Sequence, residues 1–95
     1  MITLNQAFTI AYAYFRETLQ YPGLAAASED QTHWFFSGGI PGKPRIGSII
    51  ISVDKSDGHI ELVDHLSKQG FDRIRNSVSI EVPGEFAGRE ADPSA

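Results

Sequence analysis

Leu4, Ala7, Phe8, Ala11, Phe15 and Leu19 recur at spacings of three and four, which is the period of one apolar stripe along an α-helix. Asn5, Thr9, Arg16 and Gln20 fall largely outside that stripe, and Tyr12 and Tyr14 flank it. Thr3 and Gln6 stand at capping-box spacing, where a hydroxyl and an amide side chain satisfy backbone amides that the first helical turn leaves open. The pattern therefore predicts a helix starting at Thr3. Tyr21-Pro22-Gly23 ends it, because proline disfavours helical geometry in the residue before it and glycine releases the chain into a turn.

Beyond Gly23 the period shortens to that of strands. Leu24 to Ser28 contains three consecutive alanines and has no strong preference between strand and loop. Thr32 to Ser37 is a clearer strand, rich in aromatics and bounded by Glu29-Asp30 and Gly38-Gly39. A glycine and proline loop from Gly38 to Pro44 leads into the longest strand, Arg45 to Val53. That strand turns at Asp54 to Gly58 into a second one marked by Ile60, Leu62 and Val63, a hairpin in which Gly58 supplies the positive φ and Asp54 can accept from turn amides. Past Asp64, Leu66, Phe71 and Ile74 are expected to line a short helix capped by Ser67, with Gly70 weakening it by about 1 kcal/mol relative to alanine. Val78, Ile80 and Val82 then alternate with Ser79 and Glu81 as a last, one-faced strand that Pro83-Gly84 ends.

One amphipathic helix followed by short strands gives an α+β fold. The helix packs on an antiparallel meander of three to four strands, with a short helix before a last strand. Its sheet has two faces to cover. Ile49, Ile51 and Val53 share one face, while Ile46 and Ile50 lie on the other among Ser48 and Ser52. If the N-terminal helix covers the first, Ile50 and one of Trp34 and Phe35 remain on the second. The segment from Leu66 to Val82, a second copy of the chain or a partner would then cover it.

The chain's 95 residues, 41% hydrophobic and 21% charged, fit one globular domain. Residues 1–86 are expected to form it and 87–95 a flexible tail. A formal charge of -4 with only eight Lys and Arg argues against nucleic-acid and anionic-membrane binding, since affinity for phosphate needs clustered cations. There is no cysteine, so neither disulfides nor thiolate chemistry enters. Met1 to Gln6 lacks the basic and apolar regions of a signal peptide, and no run approaches the roughly 20 apolar residues of a membrane span; a cytoplasmic location is expected.

Candidate chemistry is sparse. Gly38-Gly39-Ile40-Pro41-Gly42-Lys43-Pro44 resembles a phosphate loop only superficially: three residues rather than four separate Gly38 from Gly42, and Pro44 replaces the magnesium-binding hydroxyl. His33, His59 and His65, even with Glu61 and Asp64 nearby, reproduce no metal-ligand spacing, and Asp54 and Asp57-Gly58 lack the alternating oxygens and distal Glu of a calcium loop. No Gly-x-Ser-x-Gly elbow is present, and the carboxylates Asp54, Glu61 and Asp64 have no evident apolar pocket to tune them. The expectation is a protein without cofactor, metal or catalysis. Trp34-Phe35-Phe36 reads first as core and second as a ligand-stacking or interface platform.

Trp34-x-Phe36, the loop through Pro44, and Ile51-x-Val53-Asp54-Lys55-x-x-Gly58-x-Ile60 resemble the immunity protein 35 type of small α+β immunity domain from bacterial polymorphic toxin systems. The similarity runs over about residues 3 to 64. It implies a cytoplasmic protein that binds a cognate toxin and neutralises it by occlusion, without chemistry of its own. The expected contact residues are Asp57, His59 and Glu61 of the hairpin with Lys43 and Arg45 of the preceding loop. A small enzyme or ligand-binding domain using the aromatic face, and a homodimerisation module built on the second sheet face, are the readings from other classes.

Overall fold

The computed structural model describes residues 1–43 and 49–89. Its α+β architecture is a five-stranded antiparallel sheet with an N-terminal helix on one face and a short helix before the last strand. Helix α1 covers Leu4–Ala13 and opens on the capping box, with the Gln6 amide donating to Thr3 Oγ1 at 3.1 Å and the Thr3 amide to Gln6 Oε1 at 2.8 Å. It runs straight into a π-helical turn, Tyr14–Thr18, which buries Phe15. Strands β1 (Leu24–Glu29), β2 (His33–Gly38), β3 (Ile50–Asp54) and β4 (Ile60–Val63) form the meander. Helix α2 (Lys68–Arg75) then carries the chain over to β5 (Val78–Ile80), which pairs with β1 and gives the order β4-β3-β2-β1-β5. The first half of the expected strand from Arg45, including Ile46 and Ser48, lies outside the described residues.

The register decides which aromatic goes where. Trp34 pairs with Val53, Phe35 with Ser52 and Phe36 with Ile51, so Trp34, Phe36, Ile51 and Val53 point toward α1 and Phe35 points away. On the α1 side they join Ala7, Phe8, Ala11, Phe15, Leu24 and Ala27 in one buried cluster. Phe8 meets Phe36 edge-on at 5.3 Å. Trp34 Nε1 is the one buried side-chain polar atom among the described residues without a hydrogen bond. No described helix is long and apolar enough to cross a membrane.

On the second face Phe35 is only 2% exposed. Its cover is α2, whose Arg73 guanidinium sits 4.9 Å above the Phe35 ring. The segment after Asp64 thus does cover part of that face, but through a different stripe than its hydrophobic residues predicted. Leu66 is 88% and Phe71 56% exposed, while Gly70 is buried and Arg73 and Ile74 are half-buried. Ser67 fixes this phase by accepting from the Gly70 amide at 3.0 Å, and residues 70, 73, 74 and 77 then fall on the inner side.

The chain after β5 is tied in beyond Phe86. Phe86 stacks on Phe8 at 5.3 Å, its carbonyl accepts from the Leu24 amide at 2.9 Å, and the Gly88 amide donates to the Leu24 carbonyl at 3.0 Å. Ala87 and Gly88, the first residues of the expected tail, are therefore part of this contact, whereas 90–95 lie outside the described residues. Gly88 crosses so close to Gly39 that a Cβ would lie inside the van der Waals shell of the Gly39 carbonyl oxygen, and a Cβ on Gly23 would come within 2.7 Å of the Gly88 backbone. Glycine is required at this crossing for backbone approach as well as for φ.

Candidate functional site

Two groups of polar side chains stand at the end of the sheet where β1 turns into β2 and β3 into β4. The first is built on Asp30, in the β1–β2 turn. Its Oδ1 accepts from the amides of Thr32 and His33 at 2.9 and 2.8 Å, an Asx turn that makes a tight connection between the strands. Its Oδ2 meets Arg73 Nε from α2 at 3.4 Å. Arg73 Nη2 also lies 2.7 Å from His33 Nδ1. Because a guanidinium can only donate, Nδ1 is the accepting nitrogen in this contact, and the other ring nitrogen, Nε2, lies 3.6 Å from Asp54 Oδ2. Beside them Lys55 Nζ binds Glu29 Oε2 at 3.0 Å and the Asp30 carbonyl at 2.7 Å, and stands 5.2 Å from the Trp34 ring centroid.

Both aspartates are held below the usual carboxylate value. Partial burial pulls Asp30 upward, but hydrogen bonds from the Thr32 and His33 amides and from Arg73, with the Arg73 charge, outweigh it. Asp54 is lowered chiefly by the Ser56 hydroxyl and amide, at 2.6 and 2.8 Å, with smaller contributions from His33 and His59. Groups lowered on folding add stability that is present above the unfolded value, near 3.8, and lost as pH falls through the folded value. Asp30→Asn keeps the turn acceptor but removes the charge. It is expected to cost about 1 kcal/mol near pH 7, with the gap to the wild type closing below about pH 4, as thermal unfolding across a pH series will read.

The second group is the hairpin, where Asp57, His59 and Glu61 are exposed. The Asp57 carboxylate accepts from the His59 amide at 2.8 Å, and Gly58 takes φ 80°, so Asp57-Gly58 does the work of a turn. His59 Nε2 and Glu61 Oε1 are 3.4 Å apart. Glu61 pairs across the ladder with Ser52 and lines a cleft of about 250 Å³ between β4 and α2, together with Leu62, Asp64, Gln69 and Arg73. A second groove of about 280 Å³ lies beneath α2 on the β1 side, floored by Phe35 and Ile50 and walled by Ile74 and Arg75.

The structure does not bring all the expected contact residues together. Lys43 is exposed in the loop that follows β2, and that loop and the Asp57 turn lie at opposite ends of β3, about 13 Å apart along the strand at ordinary strand rise. Arg45 lies outside the described residues. Asp57, His59 and Glu61 do share the exposed hairpin, and beside them stands an apolar residue that the sequence did not single out. This is Leu62, 66% exposed at the sheet edge, which by its pairing with Ile51 lies on the α1 side of the sheet, opposite to Glu61. Arg73 also belongs to the site, and the apolar pattern of Leu66, Phe71 and Ile74 gave no reason to set it against the sheet, where it covers Phe35.

Among the described residues no three His, Asp or Glu side chains are grouped to hold a metal ion. The Arg73, His33 and Asp54 chain has a histidine facing a carboxylate, but His33 Nδ1 is occupied by Arg73, and the arrangement serves to bolt α2 to the sheet end. No family model, no curated protein and no solved structure matches this chain.

Proposed function

We propose that this protein is a cytoplasmic immunity protein that binds a cognate bacterial toxin and neutralises it by occlusion, without catalysis. The observation that supports the reading most is the surface from β4 into α2. Leu66 and Phe71, and Leu62 at the sheet edge, are all more than half exposed, within the eleven residues 61–71 that also bear the exposed carboxylates Glu61 and Asp64. Large apolar side chains left in water with charged groups at their rim, here Glu61, Asp64 and the exposed Lys68, are what a protein-binding surface presents. The same acidic charge, in a chain of net charge -4, favours a cationic partner and speeds its encounter. The aromatic strand, by contrast, is taken up by packing: Trp34 and Phe36 lie in the core and Phe35 lies under Arg73, which weighs against its use as a ligand platform.

Co-expression with the toxins encoded beside its gene tests the proposal. The tagged protein is expected to retain one of them through purification and to restore growth to cells expressing it. Failure to bind or protect against any neighbouring toxin removes the immunity reading.

A further inference from the structure

Strand β4 is the outer strand of the sheet, and its hydrogen-bonding phase can be fixed. The Asp54 amide donates to the His59 carbonyl at 2.9 Å, so the pairs Asp54 with His59, Ser52 with Glu61 and Ile50 with Val63 are the bonded ones. The intervening residues, Ile60 and Leu62, direct their amides and carbonyls outward. No described strand pairs with that edge. Proteins commonly blunt such an edge with lysine, proline or a bulge, or by keeping it short and charged. Ile60–Val63 is four residues long and bears Glu61, but it contains neither lysine nor proline, and its register with β3 is unbroken. The opposite edge, β5, is one residue shorter and bears no charge that could select a partner.

Charge decides the occupant. Antiparallel pairing of β4 with a second copy, with the sheet faces matched and the strands centred, sets Glu61 opposite Glu61. A shift by one pair toward Asp64 sets Glu61 opposite Val63 with no counter-ion, and a shift the other way runs the second copy onto the turn at Gly58. Like charges facing across a ladder are unfavourable. A basic segment meets the same carboxylates as counter-ions. We infer that an extended, basic segment of the partner protein adds to β4 as a sixth strand. Its main chain bonds Ile60 and Leu62, an apolar side chain lies against Leu62, and Lys or Arg stands beside Glu61. Strand addition draws affinity from the backbone and selectivity from alternate side chains. The identity of the partner rests on the immunity reading; the mode of docking does not.

The test uses the isotopically labelled full chain titrated with an eight-residue peptide of alternating valine and lysine, and with its valine and glutamate counterpart. Amide shifts centred on Ile60 to Val63, with the lysine peptide binding at least ten-fold more tightly, are expected. Leu62→Pro removes an outward amide without removing a bond to β3 and should abolish the shifts. If that variant unfolds, Glu61→Lys, which leaves the backbone alone, should reverse the preference between the peptides. Shifts elsewhere, no shifts at millimolar peptide, or no preference for lysine overturns strand addition. A toxin that stays bound to both folded variants overturns it while leaving immunity standing; lysine-peptide binding at β4 with no toxin partner overturns immunity alone.

Discussion

Gly70→Ala is expected to destabilise the protein by about 2 kcal/mol, against the sign of helix propensity. Alanine is preferred to glycine inside a helix by about 1 kcal/mol, and Gly70 occupies the third position of α2. Tertiary geometry reverses the preference. A Cβ on Gly70 would lie inside the van der Waals shell of the Asp64 carbonyl oxygen, with Ser67 Oγ 3.1 Å away. That carbonyl also accepts from the Ser67 hydroxyl at 2.8 Å, so it cannot retreat without disturbing the helix cap. Forcing a methyl into a closed site of this kind costs roughly 1–3 kcal/mol. Urea unfolding of wild type and variant will read the difference, and a stabilised variant would show that the chain after β4 does not run this close to α2.

Phe15→Ala should be more damaging, at about 4 kcal/mol, within the range for emptying a fully buried aromatic site. Phe15 is completely buried where the π-helical turn meets the sheet, edge-on to Tyr21 at 5.4 Å. Its ring also lies over Gly38, where a Cβ would approach Phe15 Cδ1 to 2.5 Å and Tyr21 Cγ to 2.9 Å. Gly38 has no positive φ, so its need for glycine is steric. Gly38→Ala is therefore expected to cost about 2 kcal/mol in the wild type and less beside Phe15→Ala, where of the close approaches only that to Tyr21 remains and the emptied site lets its ring give way. A double-mutant cycle of unfolding free energies measures that coupling. Simple additivity of the two losses would refute the packing of Phe15 on Gly38.

These two sites separate what was legible in the chain from what was not. The stripe from Leu4 to Phe15 and the Thr3 and Gln6 cap are local patterns, and α1 follows them. The hairpin was legible for the same reason, since Asp54, Asp57 and Gly58 satisfy their own turn. The inner stripe of α2 was not. Leu66 and Phe71 looked like its core contacts but are exposed, because the sheet offers α2 an aromatic ring for Arg73 to cover and a close approach for Gly70. Of the candidate contact residues, the chain placed Asp57, His59 and Glu61 on an exposed hairpin. It could not show that Lys43 lies at the other end of β3, or that Leu62 is left open beside Glu61.

By itself the sequence determined the kind of most elements and an α+β fold with a helix-covered sheet, because periodicity, caps and turn chemistry act over a few residues. It left Leu24 to Ser28 open between strand and loop, and did not show the π-helical turn at Tyr14–Thr18. Tertiary structure alone decided the rest. Cross-strand register sent Trp34 and Phe36 to the core and Phe35 to the other face. The crossing of α2 set β5 beside β1 and left β4 as the edge strand whose outer backbone faces solvent. Each of these depends on contacts between residues distant in the chain, whose energies no local pattern encodes.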